Sequence, residues 1–119
     1  MASSESRPFA AELDRSGSTL TAYLSGDLDL VGAPLLVEAM QGAVDESVQR
    51  VVLDLSTLTF CDSLGLRAML TVNQQVLDRG GEVVLQDPSR TLRRMLAVTG
   101  IDTVLAVQGI TEDPSGGAP

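Results

Sequence analysis

The side chains best suited to chemistry in this sequence are a serine and several carboxylates that follow apolar segments. Asp62 and Ser63 come after the apolar run that begins at Val51, while Asp27 and Asp29 follow an alternating apolar segment. Residues that follow the strands of an α/β sheet gather at one edge, which is where such proteins place their sites. Carboxylates at such an edge can bind Mg²⁺, with Asp54 as a fourth candidate, although acidic loop residues are more often solvated turn formers.

Most catalytic constellations are excluded by the residue types that the chain lacks. It contains no His and no Lys, so a Ser-His-Asp triad, a P-loop lysine and a Schiff base are impossible. A single cysteine, Cys61, together with the absence of His argues against a zinc site. No G-x-G-x-x-G fingerprint follows a strand. We therefore expect a protein that is not an enzyme and that uses no cofactor or metal.

Composition indicates one acidic globular domain. The chain has 119 residues, 44% of them hydrophobic, and a net charge of -8 with Arg as its only cation. Such a chain repels nucleic acid and anionic membranes, because binding to phosphates requires clustered cations. The basic cluster of Arg90, Arg93 and Arg94 is typical of an exposed helix face. The alternative interpretation is that these arginines form an anion-binding site.

The sequence also indicates where the protein works. The N-terminus has no apolar stretch suited to a signal peptide, and no run approaches the roughly 18 apolar residues of a membrane span. The lone Cys61 cannot form an intramolecular disulfide, which agrees with a reducing compartment, and it reads as a buried small hydrophobe rather than a reactive thiol. We expect a cytoplasmic protein.

The order of elements predicts an α/β fold. We expect a loose segment at 1–7, a domain at 8–107 and a flexible acidic tail rich in Gly and Pro at 108–119. Periodicity and turn residues give the order β-β-α-β-α-β-α-β, with strands at 8–14, 18–25, 50–55, 82–86 and 103–107. Helices are expected at about 34–44, 64–79 and 88–99, with Asp87 as the cap of the last. Crossover helices imply mainly parallel pairing, with an N-terminal β-hairpin at the edge.

The segment from Val51 to Leu70 is the most informative about function, because it places Ser63 at the predicted start of a helix. One reading is that Ser63 is only the N-cap, whose hydroxyl accepts a first-turn N–H bond worth about 1 kcal/mol. The other is that Ser63 is an exposed phosphate acceptor. A phosphate adds roughly -1.5 to -2 charges, which changes a surface without remodelling a fold stabilised by about 5–15 kcal/mol.

Several linked motifs resemble one family. Over residues 8–107 the chain is similar to the anti-sigma factor antagonists, the single-domain members of the STAS family. The resemblance lies in the turn Leu24-Ser25-Gly26-Asp27-Leu28-Asp29, the strand Val52-Leu53-Asp54-Leu55-Ser56, and the strand-to-helix corner Asp62-Ser63-Leu64-Gly65-Leu66. It continues in two later segments that contain turn glycines, Gly80-Gly81 and Val98-Thr99-Gly100-Ile101. It implies a STAS-like mixed sheet of about five strands, flanked by three or four helices.

The resemblance also implies a function and its residues. Ser63 would be phosphorylated by a serine kinase that is also an anti-sigma factor. The unphosphorylated chain would bind that kinase and release the sigma factor, and a PP2C-type phosphatase would restore this form. Asp27, Asp29, Asp62, Leu64 and Arg67, together with Ser63, would form the partner-binding surface. The chain departs from the family in having Leu64 where a small residue is common, and in a tail poor in helix formers.

Two other functions stay open from the sequence. A chain of the same fold can be a structural or assembly subunit of a signalling complex or of a lipid transporter. A nucleotide-binding protein or small enzyme is the other alternative, because helix N-termini can hold phosphate.

Overall fold

The structure, a computed structural model, describes residues 7–112 of the chain. Its strands are β1 (Ala10–Ser16), β2 (Thr19–Leu28), β3 (Arg50–Cys61), β4 (Glu82–Gln86) and β5 (Ala106–Gln108). Its helices are α1 (Gly32–Ala43), α2 (Ser63–Asp78) and α3 (Arg90–Val98), with a 3-10 turn at Ile101–Thr103. Within the described residues the elements therefore follow the predicted order.

The five strands form one mixed sheet in the order β1-β2-β3-β4-β5. β1 and β2 pair antiparallel as a hairpin, with Ser16 opposite Thr19 and Gly17 at φ 60° in the turn between them. The other neighbours pair parallel because a helix separates each of them along the chain. The predicted STAS-like mixed sheet with an N-terminal hairpin is confirmed.

One face of the sheet carries the hydrophobic core. The strands contribute alternate residues, so that Ala22, Leu53 and Leu85 lie side by side and are each 0% exposed. The helices complete the same cluster with Leu36 and Met40 of α1, Met69, Val72 and Val76 of α2, and Leu92 and Leu96 of α3. This packing holds the start of α2 firmly against the carboxyl ends of β2 and β3.

Several element boundaries differ from the sequence prediction, and two of these differences, at α3 and at the last strand, have a clear local cause. The cap of α3 is Ser89, whose Oγ accepts the Leu92 N–H at 3.1 Å, whereas Asp87 has a left-handed φ of 55°. The last strand was predicted at 103–107 but begins at Ala106. After the left-handed Gly100, local bonds from Val104 and Leu105 to the Ile101 carbonyl wind the chain into a 3-10 turn.

The two chain ends make specific contacts as far as they are described. The Arg7 N–H donates to Asp27 Oδ2 at 2.9 Å. Beyond β5, the Thr111 N–H donates to the Pro88 carbonyl and Arg90 forms a salt bridge with Glu112. Residues 108–112 therefore pack beside α3, although the tail was predicted from 108. Residues 1–6 and 113–119 lie outside the described residues, so the predicted domain limits stay a prediction.

No helix among residues 7–112 combines the length and the hydropathy that a membrane crossing requires.

Candidate functional site

Ser63 is the first residue of α2, and the preceding residue caps the helix. Asp62 has an extended backbone (φ -110°, ψ -169°), and its Oδ1 accepts the N–H groups of Leu64 at 2.9 Å and Gly65 at 3.1 Å. The sequence placed Ser63 at or beside the cap. The hypothesis that Ser63 itself is the cap is wrong, because the carboxylate of Asp62 accepts the two first-turn N–H groups of Leu64 and Gly65.

The hydroxyl of Ser63 is therefore free of a structural role. The residue is exposed, and its Oγ makes no hydrogen bond with any residue between 7 and 112. A hydroxyl that points to solvent from a rigid helix start can be reached by another protein. This geometry suits a modification site.

Close packing at Gly65 fixes the position of this corner. A Cβ at residue 65 would collide with the Leu28 carbonyl oxygen and would lie 2.8 Å from Cys61 Sγ. The Asp62 N–H also donates to the Leu28 carbonyl at 3.3 Å. Because only glycine permits this approach, the start of α2 sits directly on the end of β2.

Asp27 lies at the same end of the sheet, opposite Phe60 in the β2–β3 register. Its Oδ1 accepts the Thr59 hydroxyl at 2.6 Å, and its Oδ2 accepts the Arg7 N–H. The Thr59 bond, followed by the Arg7 backbone bond, lowers the pKa of Asp27 below its ordinary value. Asp27 therefore stays ionised at neutral pH and holds the backbone of Arg7 at this corner.

Asp29 organises the start of α1 in a similar way. Its Oδ1 accepts the N–H groups of Val31 at 3.1 Å and Gly32 at 3.2 Å, and its carbonyl accepts the Ala33 N–H at 2.8 Å. Asp27, Asp29 and Asp62 thus each bind backbone donors around the Ser63 corner. Their predicted part in partner binding stays a prediction, and the observed contacts give them a positioning role.

Asp54 does not join these carboxylates. β3 continues to Cys61 rather than ending near residue 55, so Asp54 lies in the middle of the strand. It is buried, and its Oδ1 accepts the Ser56 N–H and hydroxyl at 3.0 and 2.6 Å. Within the described residues, no group of three or more acidic or Cys side chains is arranged to hold a metal ion.

The surface around the corner is apolar, which the sequence reading missed. Leu30 and Val31 follow Asp29 and are 71% and 72% exposed, Phe60 is 54% exposed, and Leu64 is 37% exposed. Exposed apolar side chains that gather on a surface indicate an interaction site. The sequence did contain one signal of this exposure. These residues lie directly beside the two acidic turns, where they belong to no periodic pattern of core-facing residues.

A groove of about 700 Å³ between α1 and α2 adjoins this surface. Leu64 and Arg67 line it from α2, while Ala33, Val37 and Glu38 line it from α1. The structure therefore brings two of the predicted partner-binding residues into one concave surface next to Ser63.

Cys61 has no chemical role at this site. Its side chain is only 9% exposed, and burial, with a smaller effect of the Asp62 charge, raises the pKa of the thiol to about 12. The thiol is protonated at neutral pH and is therefore a poor nucleophile, as expected for a cysteine packed as a small hydrophobe.

Comparison with known families agrees with this geometry. Residues 11–108 match the family described as "Mlab, STAS domain". BtrV of Bordetella bronchiseptica, whose name provisionally assigns it as an anti-sigma factor antagonist, is 31% identical over 100 residues, which cover 84% of this chain and 86% of BtrV.

Solved structures show the same architecture. An anti-sigma factor antagonist from Mycobacterium paratuberculosis superposes with a TM-score of 0.71 at 26% identity, covering 85% of this chain and 86% of that one. SpoIIAA of Bacillus, at 22% identity, shares the fold in an unphosphorylated form (TM-score 0.70, 82% and 87% covered) and in a phosphorylated form (TM-score 0.64, 82% and 90% covered). With its sheet order, its acidic turns and the match over residues 11–108, the chain belongs to the STAS domain family.

Proposed function

We propose that this chain is an anti-sigma factor antagonist controlled by phosphorylation of Ser63. The unphosphorylated form binds a serine-kinase anti-sigma factor in the cytoplasm and so releases the sigma factor. Phosphorylation ends that binding, and a PP2C-type phosphatase reverses it. The observation that carries the proposal is the exposed, unbonded hydroxyl of Ser63, which directly precedes Leu64 at the groove between α1 and α2.

The modification transfers the γ-phosphoryl group of ATP to Ser63 Oγ. An O–P bond forms at the serine, the bond to the β-phosphate oxygen breaks, ADP leaves, and a base on the kinase takes the hydroxyl proton. The phosphatase hydrolyses the ester, which returns serine and inorganic phosphate. This chain supplies only the acceptor, and its carboxylates at the corner already hold backbone N–H groups.

The switch acts at the surface rather than through the fold. Ser63 makes no side-chain bond to the described residues, so a phosphate on it breaks no internal contact. At an apolar interface the phosphate dianion carries a desolvation cost, because a buried charge without a partner is strongly unfavourable. A change of about 3–5 kcal/mol in binding lowers the affinity by roughly two to four decades.

The surrounding residues receive distinct roles in this proposal. Leu30, Val31 and Leu64 supply apolar contact area, and Arg67 supplies a cation at the edge of the groove. Asp27, Asp29 and Asp62 hold the two turns in place and present their remaining oxygen lone pairs to the partner.

The test is a labelling and binding experiment with the cognate anti-sigma kinase. Incubation with ATP is expected to add one phosphate, which mass spectrometry places on Ser63, and Ser63→Ala is expected to abolish labelling. Ser18→Ala is the matched control, because Ser18 is also exposed but lies in the β1–β2 hairpin. Undiminished labelling of Ser63→Ala would show that the acceptor is a different residue.

Binding distinguishes the switch from the assembly alternative. Calorimetry is expected to give an affinity for the kinase that falls at least about a hundredfold on phosphorylation. Equal affinities for both forms, or stable co-purification with a larger complex regardless of phosphorylation, would instead favour a structural subunit.

A further inference from the structure

Arg67 lies one helical turn beyond Ser63. Residues four apart on a helix are neighbours, with Cβ atoms about 5–6 Å apart, and an anion N-terminal to a cation is the favourable order. Arg67 is exposed, and its guanidinium makes no hydrogen bond or salt bridge to the part of the chain that the structure describes. It is free to turn toward a new anion on its own helix.

Two of the backbone donors that usually bind a phosphate at a helix start are already in use. Such a phosphate normally binds the first-turn N–H groups. Here the N–H groups of Leu64 and Gly65 are bonded to Asp62 Oδ1 at 2.9 and 3.1 Å. A phosphate on Ser63 would have to displace this carboxylate to reach them.

We propose that Arg67 is the internal counter-ion of a phosphate on Ser63. This inference rests on the proposed phosphorylation of Ser63 and names the residue that receives the added charge. The other charged groups around the corner are Asp62 on the same turn, Asp27 with its neighbour Arg7, Asp29 before α1, and Glu38 across the groove. Arg67 is the cation that α2 itself offers within one turn of the acceptor.

The pairing has a consequence for the groove between α1 and α2. Among its lining residues within the described part of the chain, Arg67 is the only cation and Glu38 is the only anion. When the phosphate holds Arg67, the groove loses the positive charge that it offers to a partner. Phosphorylation therefore adds an anion beside the groove and also withdraws a cation from it.

The test uses the full chain with phosphoserine incorporated at position 63 during synthesis, so that it does not depend on any kinase. A ³¹P NMR titration gives the second pKa of the phosphate, whose ordinary value is about 6. An exposed pair four residues apart corresponds to about 0.3 of a pKa unit, so Arg67→Gln is expected to raise this pKa by about that amount. Arg67→Lys should keep most of the effect.

Arg79→Gln is the matched control, because it removes the same charge at the far end of α2. It should shift the phosphate pKa by less than about 0.1 unit, because a charge beyond the Debye length is screened. The Arg67 side-chain N–H signal should also move with the same midpoint as the phosphate.

Equal shifts in the Arg67→Gln and Arg79→Gln proteins would overturn the proposal. A downfield displacement of the Leu64 and Gly65 amide protons on phosphate ionisation, unchanged by Arg67→Gln, would also overturn it, because the phosphate would then have replaced Asp62. A failure of kinase labelling at Ser63 bears on the proposed function and leaves this intramolecular measurement intact.

Discussion

Replacement of Asp62 separates the residue that builds the corner from the residue that is modified there. In Asp62→Ala, the N–H groups of Leu64 and Gly65 lose their shared acceptor. Loss of an N-cap costs about 0.5–2 kcal/mol, typically about 1 kcal/mol. Gly65 is buried, so its N–H has poor access to water as a substitute. We therefore expect a loss near 1 kcal/mol or above.

Ser63→Ala is the matched comparison on the adjacent residue. Because Ser63 Oγ makes no bond to the described residues, its removal should change the free energy of unfolding by less than about 0.5 kcal/mol. Asp62→Asn should also retain most of the stability, since Asn caps helices about as well as Asp.

Urea unfolding followed by circular dichroism measures these differences. With a slope of about 1–3 kcal/mol per molar urea, a 1 kcal/mol loss lowers the midpoint by roughly 0.3–1 M. The thermal midpoint should fall by about 4–8 °C. The opposite order, with Ser63→Ala the more destabilised, would refute the assignment of the cap to Asp62.

Three further predictions concern the residues around this corner. Gly65→Ala should destabilise the fold by about 1–3 kcal/mol through overpacking, whereas Gly42→Ala on the open face of α1 should stabilise it by about 0.5–1 kcal/mol in the same urea assay. Thr59→Val should raise the depressed pKa of Asp27 toward 3.8, as followed by carboxyl NMR. Because the pKa of Asp27 is lower in the folded than in the unfolded chain, Asp27 contributes to the stability of the fold above about pH 4. This contribution is lost as the pH falls through the folded-state pKa. Cys61 should react with a thiol reagent at pH 8 only after unfolding, and rapid labelling of the native protein would contradict its burial.

The elements of this fold could be predicted because local signals agree with the tertiary packing. The alternation of Leu20, Ala22 and Leu24 predicted a half-buried strand, and all three residues lie in the core. The predicted end of the second helix near residue 79 is confirmed, and Gly80 after it has the left-handed φ of 86° that favours glycine after a helix. Where periodicity, turn chemistry and burial point the same way, the sequence alone is sufficient.

The predictions failed where a local signal had two possible readings. Asp62 and Ser63 are both good caps, and only the backbone angles select Asp62. Asp87 and Ser89 posed the same choice at the start of α3. Thr111 fixes the backbone there, because its Oγ1 donates to the Asp87 carbonyl and its N–H donates to the Pro88 carbonyl. Thr111 is distant in sequence, so a local pattern does not reveal these bonds. β3 extends to Cys61 because it pairs with β2 beyond residue 55, which no pattern within β3 reveals.

The exposed apolar residues were missed for a related reason. Leu30, Val31 and Phe60 have the residue types of a core, and their position beside the acidic turns was the one signal in the sequence that they lie outside it. Their position beside the acidic turns has a physical consequence. Asp27, Asp29 and Asp62 direct oxygens toward backbone N–H groups, so that much of the local negative charge is already satisfied inside the turns. On such a surface a phosphate on Ser63 is a large local change of charge, even in a chain whose net charge is already -8.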